Sequence, residues 1–328
     1  MKRKTKKIVS IVLISVLLCL SLFGCTGSTA EQADDSAEVP TLKYIGLKVY
    51  DPVYIALEKG FFDETKVNVE LIDLVAGGAT AVQMIEAGDA DAGLLSYMAL
   101  INAVNEGMSV KGVADIQSSF EDAPLEEFFV RADSGIESIE DLKGKKIAIN
   151  LVKSSFHYTW LIALENAGMT EDDVEFVVLP FDQQIIALKE GQVDAIGLMS
   201  PYSSQALSDN ELEKMYDATD VFGERQFCDI IASTKYGEEN PEALTAFVEG
   251  ITEATEWAME NQEEAKEIME KYTGVEAELI LDYRFQENGA VIMEDVQYWL
   301  DYMRAHGDID ESITAEDIAT NQYNEKVN

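Results

Sequence analysis

Apolar runs of strand length alternate along the chain with stretches in which apolar residues recur at helical spacing. Residues 181–202 show this pattern clearly: a helical stretch comes first, Gly191 interrupts it, and Val193–Met199 is a continuous apolar run. Asp182 stands where a side chain commonly caps a helix, and glycine favours the left-handed residue that often ends one. This segment is therefore predicted to be a short helix followed by a buried strand.

The same order of elements occurs earlier in the chain. Gly88-x-x-Asp91-Ala92 and Gly191-x-x-Asp194-Ala195 have identical spacing, and each glycine follows a helical pattern and precedes an apolar run. The first run leads into Ser96-Tyr97 and the second into Ser200-Pro201-Tyr202. Because the whole helix–glycine–strand–serine order is repeated, the sequence predicts two lobes of similar build.

The alternation of strands and helices predicts a mostly parallel α/β sheet in each lobe. Strands are expected at residues 41–50, 67–74, 111–116, 126–131, 174–179 and 227–233, with a further strand ending at residue 150. Helices are expected at residues 53–59, 98–105, 263–272, 277–286 and 293–305, and also from residue 153 and from residue 241.

Two of these strands are expected to connect the lobes. The strand at residues 126–131 would leave the first lobe, and the strand at residues 227–233 would return to it. The predicted first lobe is then residues 41–130 plus 232–328, with the carboxyl-terminal helices, and the predicted second lobe is residues 131–231. Two connections imply a hinge, with a cleft between the lobes.

The amino terminus carries an export signal. Residues 2–7 are mostly basic, and residues 8–23 form an apolar segment that is short for a membrane-spanning helix. The ending Leu22-Phe23-Gly24-Cys25 resembles the bacterial lipoprotein signal, which implies a signal peptide at residues 1–24 and lipidation of Cys25. Residues 25–40 are small, polar and acidic, as expected of a flexible tether. The alternative is an uncleaved anchor with an incidental cysteine, and both alternatives tether an exported protein to the cell membrane.

Composition excludes several classes of partner. The formal net charge of the chain is −38, and its first 24 residues hold only basic charges, so the remainder is more acidic still. Such a surface repels nucleic acid and anionic lipid headgroups. After Cys25 only Cys228 remains, so no intrachain disulfide is expected. His157 and His306 lack a metal-ligand spacing, and no nucleotide-binding glycine motif occurs, so we expect no metal and no cofactor.

Ligands of open α/β sheets bind beyond the carboxyl ends of the strands, where helices begin. Applied to the predicted strands, this rule selects serine and threonine hydroxyls, aromatic rings, carboxylates and glycines that suit a small molecule. It also includes Gln117 and Phe181. The candidate ligand-binding residues are Tyr50, Asp51, Gly77, Gly78, Thr80, Ser96, Tyr97, Asp115, Ser154, Ser155, Phe156, His157, Asp182, Ser200 and Tyr202.

Each candidate also has a structural interpretation. Asp51, Ser155, Asp182 and Ser200 could simply cap helices, the Gly77-Gly78 pair could be a tight turn, and His157 could be a packing residue. Asp51 and Asp182 could instead pair as acid and base across the cleft, although sequence does not place them together. No Gly-x-Ser-x-Gly nucleophile motif occurs in the chain.

Several segments together resemble one family, the substrate-binding proteins of ABC importers of the nitrate, sulfonate and taurine class, which includes thiamine-pyrimidine relatives. The similar segments are Asp51–Phe62, Gly77-Gly78, Ala87–Asp91, Asp141–Ala148, Glu190–Ala195 and Pro201-Tyr202. The resemblance implies a type II periplasmic-binding-protein fold with two α/β lobes. It also implies ligand contacts after the first strand, at Gly77-Gly78, at Ser96-Tyr97, near residues 154–157 and at Pro201-Tyr202.

The favoured hypothesis is a lipid-anchored, monomeric receptor that captures a small organic solute and delivers it to an ABC importer permease. A secreted enzyme that uses the same cleft is the alternative from a different class. For the solute, a ring compound such as a heterocycle is favoured over a small anion, and sulfonates are the second choice. The candidate lining contains no arginine, and its flat apolar surface comes from Tyr50, Tyr97, Phe156, Phe181 and Tyr202.

Overall fold

The computed structural model describes residues 38–75 and 78–327. The expected signal peptide, Cys25 and all but the last residues of the tether fall on residues 1–37, outside the described part. The described strands are β1 (Thr41–Leu47), β2 (Asn68–Val75), β3 (Ala92–Ser96), β4 (Val110–Ser119), β5 (Glu127–Arg131), β6 (Lys146–Ile149), β7 (Glu175–Val178), β8 (Ala195–Leu198), β9 (Leu212–Asp217) and β10 (Arg225–Ser233).

These strands form two five-stranded sheets of equivalent topology. Their orders are β2-β1-β3-β10-β4 and β7-β6-β8-β5-β9. In each sheet the first three strands pair in parallel. The fourth strand, β10 or β5, runs antiparallel to both of its neighbours. Each sheet is the centre of one lobe, so the predicted two-lobed α/β fold is confirmed.

The repeated glycine–aspartate motif makes the same contacts in both lobes. Gly88 and Gly191 have φ values of 77° and 70°, the left-handed backbone that was predicted for the residues ending these helices. The carboxylate of Asp91 accepts a hydrogen bond from the backbone N–H of Lys43 at 2.9 Å. The carboxylate of Asp194 accepts the equivalent bond from Lys146, also at 2.9 Å. The repeat therefore ties the start of β3 to β1 in the first lobe and the start of β8 to β6 in the second.

Helices cover the faces of both sheets. They are α1 (Pro52–Lys59), α2 (Gly78–Ala87), α3 (Tyr97–Asn105), α4 (Ser155–Asn166), α5 (Phe181–Lys189), α6 (Tyr202–Leu207), α7 (Ala218–Phe222), α8 (Thr234–Glu239), α9 (Pro241–Glu260), α10 (Gln262–Thr273), α11 (Met293–Ala305) and α12 (Ala315–Ile318). Within the described residues, none of these helices is both long and apolar enough to cross a membrane.

Each lobe has its own apolar core. In the first lobe, helices α1, α9 and α11 cover the sheet, and Trp299 and Phe247 are fully buried beneath them. In the second lobe, the ring of Phe128 lies 4.9 Å from that of Trp160 and 4.6 Å from that of Tyr216. Burying one such side chain stabilises the fold by about 1.5–3 kcal/mol. Apolar cores therefore lie on both sides of the cleft, and the first core also includes Tyr158 and Ile162 of α4.

The chain crosses between the lobes earlier than the sequence indicated. Strand β5 pairs with β8 and β9, so it belongs to the second sheet, although residues up to 130 were assigned to the first lobe. Strand β10 pairs with β3 and β4 in the first sheet, although residues up to 231 were assigned to the second. The crossings therefore precede these strands, because each strand is held along its whole length by antiparallel neighbours.

The predicted helix at residues 277–286 is wrong. Only Ala277–Leu279 forms a short 3-10 turn, and the chain then runs extended. The Ser200 hydroxyl donates to the carbonyl of Leu279 at 3.2 Å and accepts from the N–H of Leu281 at 3.2 Å. Tyr283 stacks on Tyr50 with ring centres 4.2 Å apart. Contacts with the second lobe and with Tyr50 thus replace the hydrogen bonds that a helix would provide.

Candidate functional site

A cleft of about 590 Å³ lies between the ends of the two sheets. This volume is within the range of about 300–1,000 Å³ that is usual for small-molecule sites. Its walls come from the loop after β1, the starts of α2 and α3, the loop between β6 and α4, and the starts of α5 and β10. The cleft therefore lies where the strand-end rule predicted a site.

The start of α4 forms one wall. Ser154 is the cap of this helix: its hydroxyl accepts a hydrogen bond from the N–H of His157 at 3.3 Å and donates one to the side chain of Asn150 at 2.7 Å. Ser155 and Phe156 occupy the first positions of the helix, whose N–H groups have no partner within a helix. This wall offers backbone donors and the positive end of the helix dipole to the cleft.

Aromatic rings supply the flat surface of the cleft. The rings of Phe156 and Phe181 meet edge to face with centres 4.9 Å apart, and both line the cleft from the second lobe. Tyr202 stacks behind Phe181 at 5.8 Å and does not line the cleft itself. Phe227 of β10 lines the cleft from the first lobe. The flat apolar surface of the cleft therefore comes from phenylalanine rings, whereas the sequence indicated both phenylalanine and tyrosine.

The first lobe contributes a glycine at the start of α2 and two polar side chains to the cleft. Gly78 begins α2, and a Cβ added there would lie 2.4 Å from a methyl group of Leu95, so a larger residue would require the Leu95 side chain to move. The Ser96 hydroxyl caps α3 by accepting from the N–H of Ala99 at 3.4 Å. Gln117 donates its amide N–H to the carbonyl of Tyr50 at 3.0 Å. All three of Gly78, Ser96 and Gln117 line the cleft.

Acidic side chains outnumber basic ones around the described cleft. Glu106, Glu126 and Asp308 line it, whereas Lys153 is its one described basic residue, and no described arginine lines it. The Lys153 ammonium is paired with Asp308 at 2.6 Å. Burial raises the pKa of Glu126 to about 7, although the hydroxyls of Ser155 and Thr159 partly offset this effect. The charged side chains of the cleft therefore sum to a net negative charge, which protonation of Glu126 reduces but does not remove.

Four of the predicted ligand contacts are buried inside the first lobe instead. Asp51 is fully buried, caps α1 through the N–H of Val53 at 3.0 Å, and accepts from the Tyr44 hydroxyl at 2.7 Å. Burial raises its pKa to about 6. Tyr50 is held by the stack on Tyr283. Both of these side chains follow β1 but turn into the core, because α1 packs over them.

The other two buried candidates, Tyr97 and Asp115, form a polar cluster under β10. The Tyr97 hydroxyl donates within 2.9 Å of an Asp229 oxygen and 3.0 Å of Gln226 Oε1. Asp115 accepts from the Ser118 hydroxyl at 3.1 Å and from the N–H of Gln286 at 3.0 Å. Burial raises the pKa of Asp115 to about 7. Apart from Asp229 Oδ2, these groups are hydrogen-bonded inside the lobe, and none of them lines the cleft.

The candidates on the second lobe also divide. His157 turns away from the cleft, accepts from the N–H of Lys153 at 3.1 Å and packs edge-on against Phe176 at 4.8 Å. Asp182 is exposed in the first turn of α5, and the cap position belongs to Pro180, so the predicted Asp182 cap is wrong. Ser200 is committed to the segment around Leu279. On the first lobe, Thr80 is exposed on α2, and Gly77 lies outside the described residues.

Of the predicted residues, the structure therefore brings Gly78, Ser96, Ser154, Ser155 and Phe156 together around the cleft. Asp51 and Asp182 are not arranged as an acid–base pair, since both oxygens of Asp51 are engaged inside the first lobe. The cleft residues that the sequence analysis missed include Glu126, Asn150, Phe227 and Asp308. Glu126 begins the segment at residues 126–131 that was expected to connect the lobes, and that position was the one signal available.

A model of the NMT1/THI5 like family matches residues 49–265 of the chain. Over 338 aligned residues the chain is 23% identical to a Bacillus subtilis protein to which aliphatic sulfonate binding is provisionally assigned, covering 96% of this chain and 95% of that protein. It is 22% identical to the formylaminopyrimidine-binding protein of Halalkalibacterium halodurans, covering 94% and 97% of the two chains. Both relatives are named as binding proteins.

Solved structures share the fold. The periplasmic aliphatic sulphonate binding protein SsuA from Escherichia coli superimposes with a TM-score of 0.70 at 22% identity, covering 84% of this chain and 91% of that one. At this level of identity the similarity concerns the fold alone. It confirms the periplasmic-binding-protein architecture that the sequence resemblance implied.

Proposed function

Since the chain belongs to the NMT1/THI5-like family, we propose that it is an extracytoplasmic solute receptor. It captures a small organic solute in the cleft between its lobes and delivers that solute to the permease of an ABC importer. Cys25, in its lipoprotein-like setting, carries the lipid that tethers the monomeric receptor to the cell membrane. The solute-binding names of its relatives support the general role.

The observation that carries this proposal is the cleft itself. It combines aromatic and aliphatic walls with a small number of polar groups at strand ends and helix starts, which is the usual composition of a small-molecule site. Phe156 and Phe181 form a wall that suits a flat, largely apolar solute. Nitrate offers no apolar surface to such a wall.

Charge separates the two solute classes. The described cleft holds three carboxylates and one cation, namely Glu106, Glu126, Asp308 and Lys153. This excess of acidic groups disfavours an anionic solute, because like charges would repel it. In favour of a sulfonate are the names of the relatives and the free amides at the start of α4. A neutral or cationic ring compound agrees better with the described cleft, and sulfonates remain the second candidate.

The experiment is a binding panel on the mature protein, with pyrimidines, larger heterocycles, aliphatic sulfonates, nitrate and amines. A ligand that binds only the folded state stabilises it by about 2.7 kcal/mol at a hundred times its Kd, so the melting temperature should rise. Small-angle scattering then measures whether the same solute compacts the protein. Incubation with each stabilising compound, followed by product analysis, tests the enzyme alternative.

Ala99→Phe is the matched test variant, because Ala99 lines the cleft on α3, and Ala87→Phe places the same ring on the exposed end of α2. The Ala99 variant should lose the solute-induced rise in melting temperature, and the Ala87 variant should keep it. If the solute stabilised both variants equally, it would bind outside the cleft. Turnover of a bound compound would favour the enzyme.

A further inference from the structure

Glu126 lies in the loop that connects the lobes, at the wall of the cleft, and its side chain is only 3% exposed. One carboxylate oxygen, Oε2, accepts a hydrogen bond from the Thr159 hydroxyl at 2.7 Å. The other oxygen, Oε1, makes no hydrogen bond to any described residue, although the Ser155 hydroxyl is close enough to affect the carboxyl group. A buried acceptor is thus left without a partner at the edge of the cleft.

A buried carboxylate oxygen without a hydrogen-bond partner costs free energy, so each one in a native structure calls for an explanation. No described cation compensates it, because Lys153, the one basic residue of the described cleft, is already paired with Asp308. Tyr216 and Cys228 interact electrostatically with Glu126, and burial raises the pKa of both well above their usual values. Neither of these groups can neutralise Glu126 with a positive charge.

We propose that Glu126 is a specificity-determining residue, and that the solute presents a nitrogen-bound hydrogen, from an ammonium, an amidinium or a ring amino group, to its free Oε1. This inference rests on the proposed receptor function and names the solute class of the same cleft. An N–H donor satisfies the acceptor, and a positively charged nitrogen also compensates its charge. A sulfonate oxygen, which can only accept, would face Glu126 unfavourably.

The rest of the cleft agrees with such a solute. Phe156 and Phe227 line the same space as Glu126, so an amino group on a flat ring can meet the carboxylate while the ring packs on phenylalanine. The Thr159 hydroxyl holds the carboxyl group in place at 2.7 Å, and its oxygen is itself positioned 3.0 Å from the Ser155 carbonyl on the same helix. A charge held in place discriminates more sharply than a mobile one.

The test uses matched probes and titration calorimetry on the mature protein. The probe pairs are 4-amino-2-methylpyrimidine with 4-methoxy-2-methylpyrimidine, and benzylamine with phenylmethanesulfonate. The wild type should bind the amino member of a pair at least about tenfold more tightly, as expected when a buried acceptor is left unpaired by the other member. Glu126→Gln, which keeps the shape of the side chain, should remove most of that preference.

Glu213→Gln is the control, because Glu213 is an exposed carboxylate on β9 outside the cleft and this change removes the same charge. It should leave the preference intact. Melting temperatures of all variants show whether they fold, and Glu126→Asp, which retains the charge but withdraws it, should keep part of the preference. Equal binding of amino probes by wild type and Glu126→Gln would overturn the inference.

Other outcomes separate this inference from the proposed function. The sulfonate could be the only probe that binds, and it could compact the wild type and Glu126→Gln to the same extent. The receptor function would then stand, and the role of Glu126 would be refuted. If no probe bound the wild type and no member of the wider panel did, the receptor function would be refuted as well.

Discussion

Asp308 connects the two lobes at the rim of the cleft, and replacing it should weaken solute binding by destabilising the closed form. It follows α11, which packs on the first lobe. Its carboxylate pairs with the Lys153 ammonium at 2.6 Å and accepts from the Tyr158 hydroxyl at 2.8 Å, and both partners belong to the second lobe. Opening the cleft must break both of these contacts.

The structure sets the size of the effect. The Lys153 side chain is 49% exposed and that of Asp308 is 17% exposed, so the ion pair contributes only about 0.2–1 kcal/mol. A hydrogen bond to a charged group contributes about 1.5–3 kcal/mol, and a neutral amide would retain about 1 kcal/mol of it. Asp308→Asn should therefore weaken the closed form by about 1–2 kcal/mol.

Because solute binds the closed form, its apparent affinity falls with the closed population. A loss of about 1–2 kcal/mol corresponds to a roughly 5- to 30-fold increase in Kd. Titration calorimetry measures this change, and small-angle scattering should show a more expanded protein in the absence of solute. The combined effect of Tyr158→Phe and Asp308→Asn on Kd should be smaller than the sum of their separate effects, since both changes act on the same hydrogen bond.

Asp310→Asn is the matched control, because Asp310 is exposed on the same loop and its carboxylate accepts only from the nearby N–H of Ser312 among the described residues. It should leave both Kd and the scattering profile unchanged. If Asp308→Asn behaved like Asp310→Asn, the bridge would not contribute to closure and the reasoning would fail.

Three further outcomes are expected. Asp115 has a folded pKa of about 7 instead of its usual value near 4, so the free energy of unfolding of the wild type should fall as pH rises between these values. In urea unfolding, the fall for Asp115→Asn should be smaller by about 4 kcal/mol. A difference between the two proteins that did not change with pH would contradict this. Tyr97→Phe should lower the free energy of unfolding by about 1–3 kcal/mol but leave solute Kd unchanged, because the Tyr97 hydroxyl is bound to Asp229 and Gln226 inside the lobe; a tenfold loss of affinity would place it in the site. Cys25→Ser should release the protein from membranes or leave an uncleaved precursor, and a mature amino terminus elsewhere than Cys25 would exclude lipidation there.

Local patterns were enough to predict the two-lobed architecture. Gly88 and Gly191 end helices because a left-handed residue is needed there, and Asp91 and Asp194 bind the backbone of β1 and β6 in their own lobes. Such features depend on neighbours in sequence and on strand order, and both leave a periodic signal. The strand-end rule likewise located the cleft, since it depends on sheet topology alone.

Which strand-end side chains face the cleft was decided only by tertiary packing. Asp51 and Tyr97 stand at strand ends, yet they turn inward because Tyr44 and Asp229 offer them buried partners. Residues 277–286 have a helical pattern, but their backbone binds Ser200 of the other lobe. Glu126 acquires its unpaired oxygen only when the connecting loop and α4 meet. Sequence determines what each residue can offer to a partner, whereas the choice of partner depends on groups that are distant along the chain and meet only in the folded protein.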